Sequence, residues 1–83
     1  MQIAGKVALV TGAGRGIGRA LCRELRQRGA AGIVIADLDG AMAEATATEL
    51  GGIGVQCDVA DAAAVRSVVD AAVARFGRVD ILV

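Results

Sequence analysis

Four glycines lie within seven residues at the point where an apolar strand pattern changes into a helical pattern. The segment TGAGRGIG occupies residues 11–18 and directly follows the apolar run VALV at 7–10. Glycine has no side chain and tolerates positive φ, so a turn of this kind lets a bound group approach the backbone closely. The free N–H groups and the positive dipole end of the following helix favour an anionic group. A dinucleotide pyrophosphate is the leading candidate for that anion.

The spacing of the glycines distinguishes between the known phosphate-binding loops. A Walker loop needs a second glycine five residues after the first, but Ile17 lies at that distance from Gly12 and no lysine follows. The GxGxxG dinucleotide pattern fails as well, because its last position falls on Ile17 or on Arg19. The spacing that fits is TGxxxGxG, with its fixed positions at Thr11, Gly12, Gly16 and Gly18. The glycines alone would also fit a tight turn that only packs a helix closely against a strand.

Apolar strand patterns alternate with helical patterns along the whole chain, which is typical of βαβ units and a parallel sheet. The patterns predict strands at about 6–10, 32–36, 54–57 and 79–83, and helices at about 16–28, at 40–50 and between Asp61 and Gly77. Right-handed crossovers then give the strand order 3-2-1-4, with the first two helices on one face and the third on the other. The sequence therefore predicts one Rossmann-like, three-layer α/β/α domain over residues 1–83.

The helical patterns also predict which residues reach the core and where each helix ends. Asp39 and Asp61 are the expected N-caps, and Gly29 and Gly77 the expected stops. Asp39 could instead approach the ribose of a bound dinucleotide, but the cap is favoured. The arginines of the first helix are expected to form a solvated face. The apolar stripe of the first helix is Ile17, Ala20, Leu21 and Leu25, and that of the third is Val65, Val68, Val69, Ala72, Val73 and Phe76.

Two aspartates follow the second and third predicted strands. Asp37 lies nineteen residues after Gly18, close to the spacing of the acid that binds the adenosine ribose hydroxyls in dinucleotide-binding folds. Asp58 follows the third strand in the same way. Because the carboxyl ends of parallel strands share one edge, both carboxylates should lie near the glycine loop. Aspartate also favours strand-end turns without any ligand, so a turn role stays open for each.

Composition and charge exclude several classes of protein. Nine basic residues balance nine acidic ones, which gives no support for attraction to nucleic acid or a membrane surface. No apolar run approaches the length of a membrane span, and the first residues lack the pattern of a secretory signal. Cys22 and Cys57 are expected to be free and buried, and with no histidine present we expect no metal site. These features favour a cytoplasmic location.

The glycine motif, Asp37-Leu38, Asp58-Val59 and the strand VDILV at 79–83 together resemble the short-chain dehydrogenase/reductase family over the whole chain. The resemblance implies hydride transfer between a nicotinamide dinucleotide and a small alcohol or carbonyl substrate, in a homo-oligomer. It implies that Asp58 and Val59 touch the adenine and that Leu38 packs beside it. The cofactor-binding residues it implies are Gly12, Arg15, Gly16, Ile17, Gly18, Asp37, Leu38, Asp58 and Val59.

Two charged residues bear on which dinucleotide binds. Asp37 lies where the 2′-phosphate of NADP would go, so its carboxylate favours NAD. Arg15 opposes this, because a basic residue in the glycine loop often accompanies NADP use in the family. We rank Asp37 first, since it ends a rigid strand whereas the long Arg15 side chain can turn to solvent.

The residues that perform catalysis in the family are missing. The family uses Ser, Tyr, Lys and Asn, but this chain has no tyrosine, its only lysine is Lys6, and its only serine, Ser67, falls in a helix. No catalytic residue can be assigned. We therefore expect a cofactor-binding front portion of an enzyme that is incomplete after Val83 and inactive by itself. The alternative is a non-catalytic nucleotide-binding module, acting as a sensor or as a subunit of an assembly.

Overall fold

Four parallel strands alternate with three helices in the structure. A computed structural model describes residues 2–13 and 16–83 of the chain. The elements are β1 (Val7–Thr11), α1 (Gly16–Gln27), β2 (Gly32–Asp37), α2 (Gly40–Leu50), β3 (Ile53–Gln56), α3 (Ala62–Phe76) and β4 (Ile81–Leu82). The strand order is β3-β2-β1-β4 and every neighbouring pair is parallel. The predicted Rossmann-like α/β fold and its strand order are confirmed.

The last strand is shorter than the sequence pattern predicts, but its pairing with β1 extends beyond its two residues. The N–H of Asp80 donates to the carbonyl oxygen of Val7 at 2.9 Å, and the N–H of Val83 donates to Leu9 at 3.0 Å. The N–H of Thr11 in turn donates to Val83 at 2.9 Å. Backbone hydrogen bonds therefore join β1 to residues 80–83.

The two faces of the sheet are covered by different helices. Alternate residues of a strand point to opposite faces, so Val10 packs with Cys22 and Leu25 of α1, whereas Leu9 packs with Val68 of α3. The first face also contacts Ala43 and Ala47 of α2, and the second contacts Ala72 of α3. The predicted arrangement of two helices on one face and one on the other is confirmed.

The predicted helical stripes are wrong at three positions. Ile17 is 90% exposed, Val73 is 45% exposed, and Ala20 is exposed as well. Ile17 lies in the first turn of α1, which begins beyond the carboxyl edge of the sheet, so no strand covers it. In α3 the narrow sheet buries Val68 and Ala72, while Phe76 packs partly buried against the same cluster.

The helix ends follow the local sequence signals. Asp39 caps α2 by accepting a hydrogen bond from the N–H of Met42, and Asp61 caps α3 by accepting from Ala63 and Ala64. Gly77 ends α3 in the left-handed region with φ of 83°. Both predicted caps and this stop are confirmed.

The arginines of α1 are exposed but they are not simply solvated. Arg19 Nη2 lies 2.9 Å from Glu49 Oε2, and Arg23 Nη2 lies 2.8 Å from Glu49 Oε1. Glu49 is in the last turn of α2, so these ion pairs connect α1 with α2. The predicted solvated face therefore also forms exposed ion pairs with α2 at these two residues.

Both cysteines are free and buried, as predicted, and burial raises the pKa of the Cys22 thiol to about 11. In the described ranges, no group of histidine, cysteine and acidic side chains could hold a metal ion. None of the helices in those ranges has the length and apolar character needed to cross a membrane.

Candidate functional site

A cavity of about 270 Å³ opens where β1, β2 and β3 reach their carboxyl ends. Five of the predicted site residues line it together, which follows from the shared edge of parallel strands. The lining residues are Thr11, Gly12, Asp37, Leu38, Cys57, Asp58 and Val59. Gly16, Ile17 and Gly18 lie in the first turn of α1 and are not among the lining residues, and Arg15 lies outside the described residues.

The glycine loop is built around positions that other residues would not fit. Gly12 and Gly16 have φ of 64° and 63°, in the left-handed region that favours glycine. A Cβ atom on Gly18 would lie 2.5 Å from the carbonyl oxygen of Gly12, so α1 can approach the loop only because Gly18 has no side chain. The N–H of Gly12 donates to Ala36 at 2.8 Å and holds the loop against β2. The close-packing role that the sequence left open is therefore present.

Two lining residues were not predicted as site residues. Thr11 was predicted only as part of the glycine motif, yet it lines the cavity, and its hydroxyl donates to the carbonyl oxygen of Val83 at 2.9 Å. Cys57 is 4% exposed and was predicted only as a core residue. Their position at strand ends, directly before Gly12 and Asp58, is the signal that could have identified both.

The Asp37 carboxylate is half-buried and held in a turn at the end of β2. Its Oδ1 accepts a hydrogen bond from the N–H of Asp39 at 2.9 Å. Its backbone oxygen accepts from the N–H of Cys57 at 2.9 Å, which also holds β3 at this point. The turn role is thus real, and it fixes the direction of a carboxylate that lines the cavity.

Asp58 is placed similarly after β3 but is exposed. Its Oδ1 accepts from the N–H of Ala60 at 2.9 Å, and its backbone oxygen accepts from the N–H of Asp61 at 2.9 Å. Asp58 therefore also makes the turn that its residue type favours. Asp58 is also one of the residues that line the cavity.

The cavity combines acceptor groups with apolar walls. Leu38 is 66% exposed and Val59 is 60% exposed, although large apolar side chains are usually covered. The two carboxylates, Asp37 and Asp58, are the charged groups among the lining residues. Such a cavity can accept hydrogen bonds from hydroxyl or amino groups and can cover an apolar ring.

Comparison with known proteins agrees with this arrangement. The family model for short chain dehydrogenase matches residues 6–83. D-threitol dehydrogenase from Mycolicibacterium smegmatis is 51% identical over 87 residues, which cover 99% of this chain and 33% of that protein. The 3-oxoacyl-[acyl-carrier-protein] reductase of Escherichia coli is 46% identical over 84 residues, covering 100% of this chain and 34% of that protein.

Solved structures show the same fold. A short chain dehydrogenase/reductase from Burkholderia phymatum in complex with NAD superposes with a TM-score of 0.93 at 38% identity, covering 99% of this chain and 31% of that one. The 3-ketoacyl-(acyl-carrier-protein) reductase from Brucella melitensis complexed with NADH superposes with a TM-score of 0.92 at 44% identity, and the match covers 96% of this chain and 34% of that one. The chain spans about a third of the length of the relatives it matches.

Proposed function

This chain belongs to the short chain dehydrogenase family, and on that premise we propose that it forms the cofactor-binding portion of an NAD-dependent oxidoreductase. One observation carries the proposal: the Asp37 carboxylate is held by a hydrogen bond at the end of β2, and Asp37 lines a cavity together with Gly12 of the glycine loop. Acceptor groups at this place suit the hydroxyls of an adenosine ribose.

The residues around the cavity fit the parts of a dinucleotide. Gly12, Gly16 and Gly18 would admit the pyrophosphate to the start of α1, where the helix dipole favours an anion. Asp37 would accept from the ribose hydroxyls, and Asp58 from the adenine amino group. The remaining proposed contacts are Leu38 beside the adenine, the Val59 backbone next to it, Ile17 at the start of α1, and Arg15 in the glycine loop.

We propose NAD rather than NADP as the cofactor. A 2′-phosphate beside the Asp37 carboxylate would bring two anions together, whereas a ribose hydroxyl donates to the same carboxylate. A hydrogen bond to a charged group contributes about 1.5–3 kcal/mol, which is roughly 10- to 100-fold in affinity. Relatives solved with NAD and with NADH support the general cofactor class. Arg15 is the residue that could reverse the preference, by pairing with the phosphate.

The decisive experiment compares NAD and NADP affinities of the complete protein by isothermal titration calorimetry. We expect tighter binding of NAD, and for Asp37→Ala a loss of roughly 10- to 100-fold for NAD together with tighter binding of NADP, because the repulsion of the 2′-phosphate is removed. Asp70→Ala is the matched control, because Asp70 is an exposed carboxylate of α3 and is not a lining residue. Tighter binding of NADP by the unmodified protein would show that Arg15 prevails over Asp37.

We further propose that the complete protein oxidises a small alcohol or reduces a carbonyl, in a cytoplasmic homo-oligomer. Bound NAD supplies the acceptor for the hydride, and this chain binds and orients it. In the family, a tyrosine and a lysine four residues apart exchange the proton with the substrate, and the 83 residues include no tyrosine. The 83-residue chain should therefore show no NAD reduction with a panel of alcohols. Turnover by that chain, abolished by Gly16→Ala, would refute this assignment. A complete protein that binds NAD but transfers no hydride would instead be a nucleotide-binding module.

A further inference from the structure

Asp39 connects the start of α2 with the carboxylate at the end of β2. Its backbone N–H donates to Asp37 Oδ1 at 2.9 Å. Its own carboxylate accepts from the N–H of Met42 at 3.2 Å and so caps the helix. One residue therefore makes both the turn that orients Asp37 and the cap that fixes where α2 begins.

The start of α2 is itself held by backbone contact with β3. A Cβ atom on Gly54 would lie 2.5 Å from the carbonyl oxygen of Ala43, so the helix lies directly on the strand. A Cβ on Gly40 would lie 3.0 Å from Cβ of Gln56, and Gln56 pairs in register with Asp37. The capped helix end thus has a fixed position relative to the end of β2, and with it the N–H that Asp39 directs at Asp37.

A carboxylate held in this way has two effects on a ligand. It loses less conformational freedom when ribose hydroxyls bind, which favours NAD. It also cannot rotate away from a 2′-phosphate, which disfavours NADP. If the Asp37 carboxylate becomes more mobile, the affinity for NAD should fall and the discrimination against NADP should decrease.

The loop after β3 separates the two tasks that Asp39 combines. There the N–H of Ala60 orients Asp58, while the carboxylate of Asp61 caps α3. Asp61→Ala therefore removes a helix cap and leaves the Asp37 turn intact. It is the control for the loss of a helix cap as such.

We infer that Asp39 is a positioning residue for cofactor selectivity and acts through the Asp37 carboxylate. The inference rests on the proposed function, since it presupposes that Asp37 faces the ribose. It goes beyond that function by assigning part of the selectivity to a residue outside the cavity lining.

The test measures dissociation constants for NAD and NADP, and thermal midpoints, in variants of the complete protein. Asp39→Ala keeps the backbone N–H but removes the cap that fixes its position, and should lower the NAD-over-NADP selectivity ratio by about fivefold, on the order of one lost helix cap. Asp39→Asn keeps a side chain that caps well and should keep the ratio. Asp61→Ala should lower the thermal midpoint about as much as Asp39→Ala but leave the ratio unchanged.

A double-mutant cycle with Asp37→Ala shows whether Asp39 acts through Asp37. In the Asp37→Ala background, Asp39→Ala should not change the ratio further. An unchanged ratio in Asp39→Ala alone, or an equal fall in Asp39→Asn, would overturn the inference, the latter because charge rather than position would be responsible. If the unmodified protein binds neither nucleotide, the proposed function fails and the inference fails with it.

Discussion

The loops after β2 and β3 follow the same plan but differ by one residue in the spacing between the site aspartate and the helix cap. Each has an aspartate at the cavity, then an exposed apolar residue, then an aspartate that caps the next helix. From Asp37 the cap is two residues away, at Asp39. From Asp58 it is three residues away, at Asp61. The shorter loop makes one residue orient the site carboxylate and cap the helix, whereas the longer loop divides these tasks.

The helices that follow the two loops are also packed differently. α2 contacts β3 through backbone at Gly54, while α3 reaches the sheet through the side chains of Val68 and Phe76. Backbone contact fixes a helix more closely than contact between flexible side chains does. Asp37 is half-buried and Asp58 is exposed. The comparison therefore indicates that the site is more rigid at β2 than at β3.

The largest effect is expected from Gly54→Ala. The added Cβ would lie within 2.7 Å of three backbone atoms of Ala43 and Glu44, so α2 would have to move. Forced overpacking of this kind costs about 1–3 kcal/mol, and we expect the upper end in urea unfolding of the complete protein. Gly40→Ala is the matched control at the same helix–strand contact, because its neighbour is the side chain of exposed Gln56. Equal stability of the two variants would contradict a close backbone contact at α2.

A smaller effect is expected from Asp58→Ala. Since Asp58 is proposed to meet the adenine, which NAD and NADP share, both affinities should fall together, by about fivefold. Asp58→Asn should bind nearly normally, because an amide oxygen can still accept from Ala60 and from an amino group. Calorimetric titration with both nucleotides measures this. A change in the selectivity ratio for Asp58→Ala would contradict the division of roles between the two loops.

The fold and the lining of the cavity were largely predictable because they depend on local patterns and chain topology. Strand alternation and crossover handedness gave the order of the sheet, and residue type and spacing gave the caps at Asp39 and Asp61. Ile17 was placed in the core wrongly, because a helical period does not reveal where the helix extends past the sheet. The contact of Thr11 with Val83 joins residues 72 positions apart, which no local pattern encodes. The proposed role of Arg15 stays a prediction.

The combined role of Asp39 could not be predicted from the sequence, for a different reason. Its side-chain type was enough to predict the cap, and the position of Asp37 was enough to predict a strand-end turn. That the N–H of the capping residue is also the donor to the turn depends on the two-residue spacing from Asp37 to Asp39, whereas the cap and the turn are each indicated by a single aspartate. The two-residue separation was visible in the sequence, but its consequence required the geometry.

The smallest effect is expected from the ion pairs that join α1 and α2. Hydrogen bonds from Arg23 and Arg19 hold the pKa of Glu49 below its ordinary value of 4.5. A carboxylate with a lowered pKa in the folded state contributes stability above its unfolded pKa, and loses that contribution as the pH falls through the folded value. Glu49→Gln should therefore lower the thermal midpoint slightly at pH 7 and have no effect in acid below the folded pKa.

Glu44→Gln is the control for this last comparison, since Glu44 is also an exposed glutamate of α2. Because exposed ion pairs contribute little and are screened by salt, the difference between the two variants should be small at pH 7 and smaller at high ionic strength. Thermal melts at two pH values and two salt concentrations measure it. A Glu49→Gln defect that persists in acid and in high salt would mean that Glu49 acts by packing, and that α2 is held against α1 as firmly as it is against β3.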